Sequence, residues 1–228
     1  MRVAAGIVSR NLPERCDPLG DAIKPLVDKL YVVENGSDPD KYSKHANIIN
    51  KESLGATHAL NQLATKCLEE GYDAIWLLYN DAWHENAKEY LDWTVEQFQN
   101  DPSLGMTCGY WTNLWDINGQ GNPCKPCVVS FFDPISFIVR ADAIKIAHNT
   151  NPQLTPLVDA SNTASHYVIL STSLALYSSR YHIIADPKYT VQELQFYVGD
   201  KEQDDAKSLE ARGFDDDTWR ATIGPQQI

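Results

Sequence analysis

No apolar run in the 228-residue sequence approaches the ~20 residues needed to span a bilayer. Basic residues are few: 19 Lys and Arg stand against 31 Asp and Glu, a net charge of −12. That balance weighs against nonspecific nucleic-acid binding, which needs basic surface to neutralise phosphates, and equally against docking on anionic lipid. Glycine is missing from Ser9-Arg10-Asn11-Leu12-Pro13, so the Gly-rich triphosphate loop of a nucleotidyltransferase is not there. The five cysteines are an odd, scattered set with one C-x-x-C pair, Cys124 and Cys127. A four-cysteine zinc site needs a second pair, and the Gly/Asn/Pro-rich surroundings do not suit a redox helix. The cysteines therefore read as thiols in a reducing compartment. The opening MRVAAGIVSRN lacks the long apolar region and cleavage site of a signal peptide. It reads as a buried strand, and the cytoplasm is the expected location.

What is present is a globular composition, 43% hydrophobic and 22% charged. Strand and helix patterns alternate through the first half. Val3 to Val8, Lys29 to Glu34, Asn47 to Asn50 and Ala74 to Tyr79 read as strands. Helices are expected over Pro13 to Leu26, Ala56 to Glu70 (stopped by Gly71) and Asn86 to Gln99. The second half is less regular. Met106 to Trp111 reads as a strand, Val128 to Arg140 as strand-rich, Ala141 to His148 and Ser161 to Ser178 as helices, and Tyr181 to Ile184 as a last strand. Strands separated by helices predict an α/β fold with a mixed, mostly parallel sheet flanked by helices. We expect one domain over 1–198, with a ligand-binding half at 1–100 and a second half at 101–198 that faces the other side of the site, and an acidic segment at 199–228.

In such sheets ligands bind at the carboxyl ends of the strands, which singles out the polar residues placed there. Ser9 and Asn11 follow the first strand and Glu34, Asn35 and Gly36 the second. Gly55 and Asn61 come after the third, and Asn80 and Asp81 end the fourth. Glu34 is placed to accept hydrogen bonds from ribose or a base, or else is part of a turn. Gly36 permits a tight turn and a close ligand approach. Asp81 is a hard oxygen ligand at the end of a rigid strand, suited to Mg²⁺ or Mn²⁺; its bland alternative is a helix N-cap. His84, three residues on, is either a second metal ligand or an exposed residue at a helix start.

Taken in order, the first strand into Ser9-Arg10-Asn11, VVENGSD (Val32 to Asp38), Asn50 with Leu54-Gly55-Ala56 and Asn61, and AIWLLYNDA (Ala74 to Ala82) resemble the family 2 type of GT-A glycosyltransferases. SFFDPISFIVRADAI (Ser130 to Ile144) is a weaker fifth match. The resemblance covers roughly residues 1 to 190 and implies a nucleotide-sugar donor (UDP-, GDP- or dTDP-linked), Mn²⁺ or Mg²⁺, and transfer with inversion to an acceptor hydroxyl. It assigns the donor site to Ser9, Asn11, Glu34, Asn35, Gly36, Gly55, Asn61, Asn80 and Asp81. The family's D-x-D-type motif commonly has an acidic residue two positions before the metal ligand, where this chain has Tyr79. A degenerate domain that binds a nucleotide or glycan without turnover is therefore the alternative. An acidic pair is implied near the last major helix. Asp159 is the carboxylate there and is expected to be either the general base or a helix N-cap. His166, otherwise a packed histidine of an apolar helix, and Asp133 are further candidates. Trp111 and Trp115 flank a Gly/Asn-rich loop and are expected either to stack on the acceptor or to anchor that loop. The acceptor and the oligomeric state stay open.

Overall fold

The computed structural model describes residues 1–110, 126–129, 135–152, 154, 156–158 and 165–193. The first strand, β1 (Val3–Ser9), is buried along its whole length, as its unbroken apolar run requires. It pairs in parallel with β2 (Lys29–Asn35) on one side and β4 (Ala74–Tyr79) on the other; β3 (Ile48–Asn50) extends the sheet beyond β2. Helix α1 (Pro13–Ile23) connects β1 to β2, and α2 (Ala56–Glu69) connects β3 to β4.

After β4 come β5 (Ala82–His84), α3 (Ala87–Asn100), β6 (Leu104–Tyr110), β7 (Cys127–Val128) and β8 (Ser136–Arg140). Helices α4 (Ala141–Thr150) and α5 (Ser165–Ser178) and strand β9 (His182–Glu193) complete the described order. The sheet runs β3-β2-β1-β4-β8-β6-β9-β5, and β7 pairs with β9. β8 is antiparallel to both its neighbours, β4 and β6, while β6 and β9 are parallel. The result is the expected α/β sheet, mixed and mostly parallel.

Strand alternation divides the core into two faces. Val3, Ala5 and Ile7 join Cys16, Leu19 and Ile23 of α1 and Tyr90, Leu91 and Phe98 of α3. Ala4 and Val8 join residues of α2, α4 and α5, among them Leu60, Leu63, Ile144 and Leu176. Cys16, Cys67 and Cys108 are buried and carry reduced thiols. Burial pushes the Cys16 thiol up to about 11 and Cys67 up to about 12, so both behave as small apolar residues.

Two elements differ from expectation. The last strand runs to Glu193 rather than stopping at Ile184, because its distal part pairs with β5. β5 itself is only three residues long, too short for alternation to signal, and it puts His84 in a buried strand rather than at an exposed helix start, one of its two readings. Among the described residues no helix is long and apolar enough to cross a membrane.

Candidate functional site

The strand order reverses at β1, with β2 and β3 on one side and β4 on the other. Brought together at the carboxyl ends are Ser9 opposite Glu34, Asn35 opposite Asn50, and the turn Asn80-Asp81, whose Asn80 N–H donates to Val8 O at 3.1 Å. A crevice at such a switch point is where open α/β sheets take their ligands.

Most of the polar side chains collected there are used by the protein itself. Glu34, fully buried, accepts from Ser37 Oγ through one carboxylate oxygen and from the Ser43 N–H through the other at 2.8 Å. Ser43 Oγ in turn donates to Asp17 Oδ1 at 2.5 Å. Asn11, with φ 56°, receives the Asp38 N–H on Oδ1 at 2.8 Å and gives its own N–H to Ser37 Oγ at 3.0 Å. Asn35 accepts from Leu54 N at 3.1 Å and donates to Gly55 O at 3.1 Å. Asn61 is 5% exposed, and its amide closes on a chain segment 97 residues away. Oδ1 accepts from the N–H groups of Leu157 (3.0 Å) and Val158 (2.9 Å), and Nδ2 donates to Val158 O at 2.8 Å. The polar atoms of Glu34, Asn35 and Asn61 are therefore bonded within the protein.

Gly36 is held by geometry. Its φ is +78°, its N–H donates to Asn50 O at 3.0 Å, and a Cβ there would lie 2.3 Å from the backbone nitrogen of Ser53. Gly36→Ala is expected to cost roughly 2 kcal/mol or more, because neither the backbone angle nor the neighbouring chain accommodates a methyl group. Urea unfolding of the variant against wild type measures it.

Two polar atoms at the crevice are left over. Ser9 Oγ is buried with no hydrogen-bond partner, the Cys16 thiol being its polar neighbour. Asp81 Oδ1 is likewise buried and unpartnered. Burial pushes the Asp81 carboxyl up, while its own backbone N–H and the nearby charge of Arg15 pull it down. A buried carboxylate oxygen without a donor is costly unless something outside the apo chain satisfies it.

His84 is turned to the core. Its ring stacks on Tyr90 (centroids 5.1 Å apart, planes 10° apart) and meets the Trp76 ring edge-on at 5.4 Å. Nε2 lies 2.6 Å from Ser136 Oγ, which also accepts from Trp76 Nε1 at 3.0 Å. Among the described residues no group of three or more His, Cys, Asp or Glu is placed to hold a metal ion. Asp81 keeps one carboxylate oxygen without a donor, and His84, expected as its partner ligand, is engaged in the aromatic cluster.

Desolvation lowers the His84 pKa from 6.5 to about 4. The unfolded chain binds this proton more readily, so the His84 contribution is fully present above pH 6.5 and is lost as pH falls towards 4. The expected loss is roughly 3 kcal/mol over that window. Urea unfolding at a series of pH values checks it, since His84→Asn should flatten the slope relative to wild type.

Asp133, Asp159, Trp111, Trp115, Cys124 and the segment 199–228 lie outside the described residues, as does the side chain of His166 on α5. The cavity of about 330 Å³ lined by Lys24, Lys29, Lys44 and His45 opens at the opposite end of β2 from Glu34. Lys44 and His45 there are turned to Asp21, at 2.6 and 2.9 Å.

This architecture recurs in solved structures. Glucosyl-3-phosphoglycerate synthase from Mycobacterium tuberculosis, solved with Mn²⁺, UDP-glucose and phosphoglyceric acid, aligns with a TM-score of 0.62 and 12% identity over 94% of this chain and 81% of that one. The fold is GT-A. A second GT-A-type structure, GalNAc-T7 with UDP, GalNAc and Mn²⁺, gives a TM-score of 0.59 and 10% identity over 92% of this chain. This chain spans about half of that protein, 48%. Mannose-1-phosphate geranyltransferase from Thermus thermophilus follows with a TM-score of 0.55 and 8% identity, over 85% of this chain and 76% of the other. At these identities the likeness is one of GT-A fold alone. No family model and no curated protein sequence matches the chain.

Proposed function

We propose that the protein is a glycosyltransferase that moves a sugar from a UDP-, GDP- or dTDP-sugar to an acceptor hydroxyl with inversion. The observation that carries this reading is the pair of unpartnered buried atoms, Ser9 Oγ and Asp81 Oδ1, at the switch point of a GT-A sheet. Solved structures of that fold hold Mn²⁺ with UDP-glucose in one case and with UDP and GalNAc in another.

Asp81 fits a hard divalent cation as a single ligand, its orphaned carboxylate oxygen being the available donor. Diphosphate oxygens and water would complete the shell, as they commonly do for Mg²⁺. A bound Mn²⁺ or Mg²⁺ supplies Lewis-acid stabilisation of charge on the departing diphosphate. In the transfer itself the acceptor oxygen attacks the anomeric carbon, and the bond from that carbon to the diphosphate breaks. The hydroxyl proton passes to a base, for which we assign Asp159, with Asp133 and His166 as the other candidates. Trp111 and Trp115 are assigned to the acceptor side and residues 1–100 to the donor side.

A second reading, a degenerate GT-A domain that binds nucleotide without turnover, is favoured by Tyr79 in the D-x-D-type motif and by the lack of a multi-ligand metal cluster among the described residues. Incubation with UDP-, GDP- and dTDP-sugars and Mn²⁺, with release of nucleoside diphosphate as the readout, separates the two. Release from one donor supports the transferase. A protein stabilised by a nucleoside diphosphate that never releases it from any donor supports the degenerate domain.

A further inference from the structure

A sugar nucleotide brings about two negative charges into a crevice that already holds the Asp81 carboxylate, and burial makes each charge more expensive. The D-x-D-type motif offers one carboxylate, since Tyr79 occupies the other position. A cation held by a single carboxylate is held weakly, so the diphosphate needs a further positive group.

Arg15 is placed to be that group. It stands in the first turn of α1, four residues after β1 enters its loop at Asn11. Its neighbour Cys16 and, one turn on, Leu19 pack in the same core layer as Ala82, the residue after Asp81. The first turn of α1 and the β4–β5 turn therefore stand on one face of the sheet, on either side of the carboxyl end of β1. Arg15 is partly buried, and its charge acts on the Asp81 carboxyl, although burial is the larger influence on that group. Asp81 Oδ1 nevertheless has no hydrogen-bond partner, so the two side chains are not locked together through that oxygen.

Resting on the glycosyltransferase reading above, we propose that Arg15 binds the diphosphate of the donor and of the departing nucleoside diphosphate. A guanidinium suits this task because its donors form a planar fork matching phosphate oxygens and its charge persists at any working pH. Arg15 would thus share with the cation at Asp81 the neutralisation that a second carboxylate-bound ligand position would otherwise reinforce.

The test compares wild type, Arg15→Lys and Arg15→Ala in calorimetric titrations with UDP and UMP at fixed Mn²⁺, alongside donor KM and kcat. Arg15→Ala is expected to weaken UDP binding about 10- to 100-fold, the loss of one or two charge-assisted hydrogen bonds. UMP, lacking the second phosphate, should lose much less, and Arg15→Lys should recover part of the UDP affinity. A purely structural role for Arg15 would weaken both nucleotides alike. UDP affinity within twofold of wild type in Arg15→Ala, or equal losses for UDP and UMP, overturns the assignment and leaves the glycosyltransferase reading standing. A wild type that turns over no UDP-, GDP- or dTDP-sugar and binds no nucleoside diphosphate overturns both.

Discussion

Asp81→Asn is expected to lower kcat/KM for the donor by about 100-fold or more while leaving the apo protein at least as stable as wild type. The two halves of this expectation have one cause. Asn keeps the shape of the side chain but removes the charge that would hold a cation at the end of β4. In the apo chain that charge is a burden: the carboxyl is partly buried, its pKa is raised by desolvation, and Oδ1 has no donor. Replacing it with a neutral amide relieves the desolvation cost even as it removes the ligand. Function and stability should therefore move in opposite directions, the pattern of a group retained for chemistry. Thermal unfolding with and without Mn²⁺ and a nucleoside diphosphate provides the second readout. The metal-dependent part of the stabilisation should vanish in the variant, and equal metal-dependent stabilisation of both proteins would remove Asp81 from the metal site.

Asn61→Ala is expected to do the reverse, costing roughly 3 kcal/mol of stability whether or not any ligand is present. Three hydrogen bonds from one buried amide fasten α2 to the chain at Leu157 and Val158. Truncation would leave two backbone N–H groups and one carbonyl without partners in a region where Leu157 and Val158 are at most 2% exposed. Thr172 Oγ1 also donates to Leu157 O at 3.0 Å, so the segment would keep one tether. Urea unfolding of the apo protein measures the loss. A variant as stable as wild type that nonetheless loses donor affinity would restore Asn61 to the ligand site that the family resemblance assigns to it.

The first half of the fold was legible because its signals are local. AIWLLY reads as a buried strand, and Leu60, Leu63, Ala64 and Cys67 recur at the spacing that puts them on one helix face. Asp81 could be singled out as a candidate because it follows such a strand, and strand ends in parallel sheets are where ligands go. Arg15 carried no comparable signal. It sits in an amphipathic helix as any surface arginine might, and only packing puts that helix beside the β4–β5 turn. The aromatic surroundings of His84 were equally hidden. Tyr90, Trp76 and Ser136 reach it from three separate elements, and no spacing in the chain connects them.

The sequence by itself determined that this is an α/β chain with polar residues gathered at the ends of its strands, because apolar periodicity and strand order are properties of neighbouring residues. Which of those polar residues are still free for a ligand was decided only by the tertiary structure. Glu34, Asn35 and Asn61 look as available in the chain as Ser9 and Asp81 do. Hydrogen bonding separates them: Ser43 lies nine residues from Glu34, and Val158 lies 97 from Asn61. A polar group is satisfied by whatever the fold brings within about 3 Å of it. That distance is set by packing across the sheet, which bonds Glu34, Asn35 and Asn61 and leaves an oxygen of Asp81 without a partner.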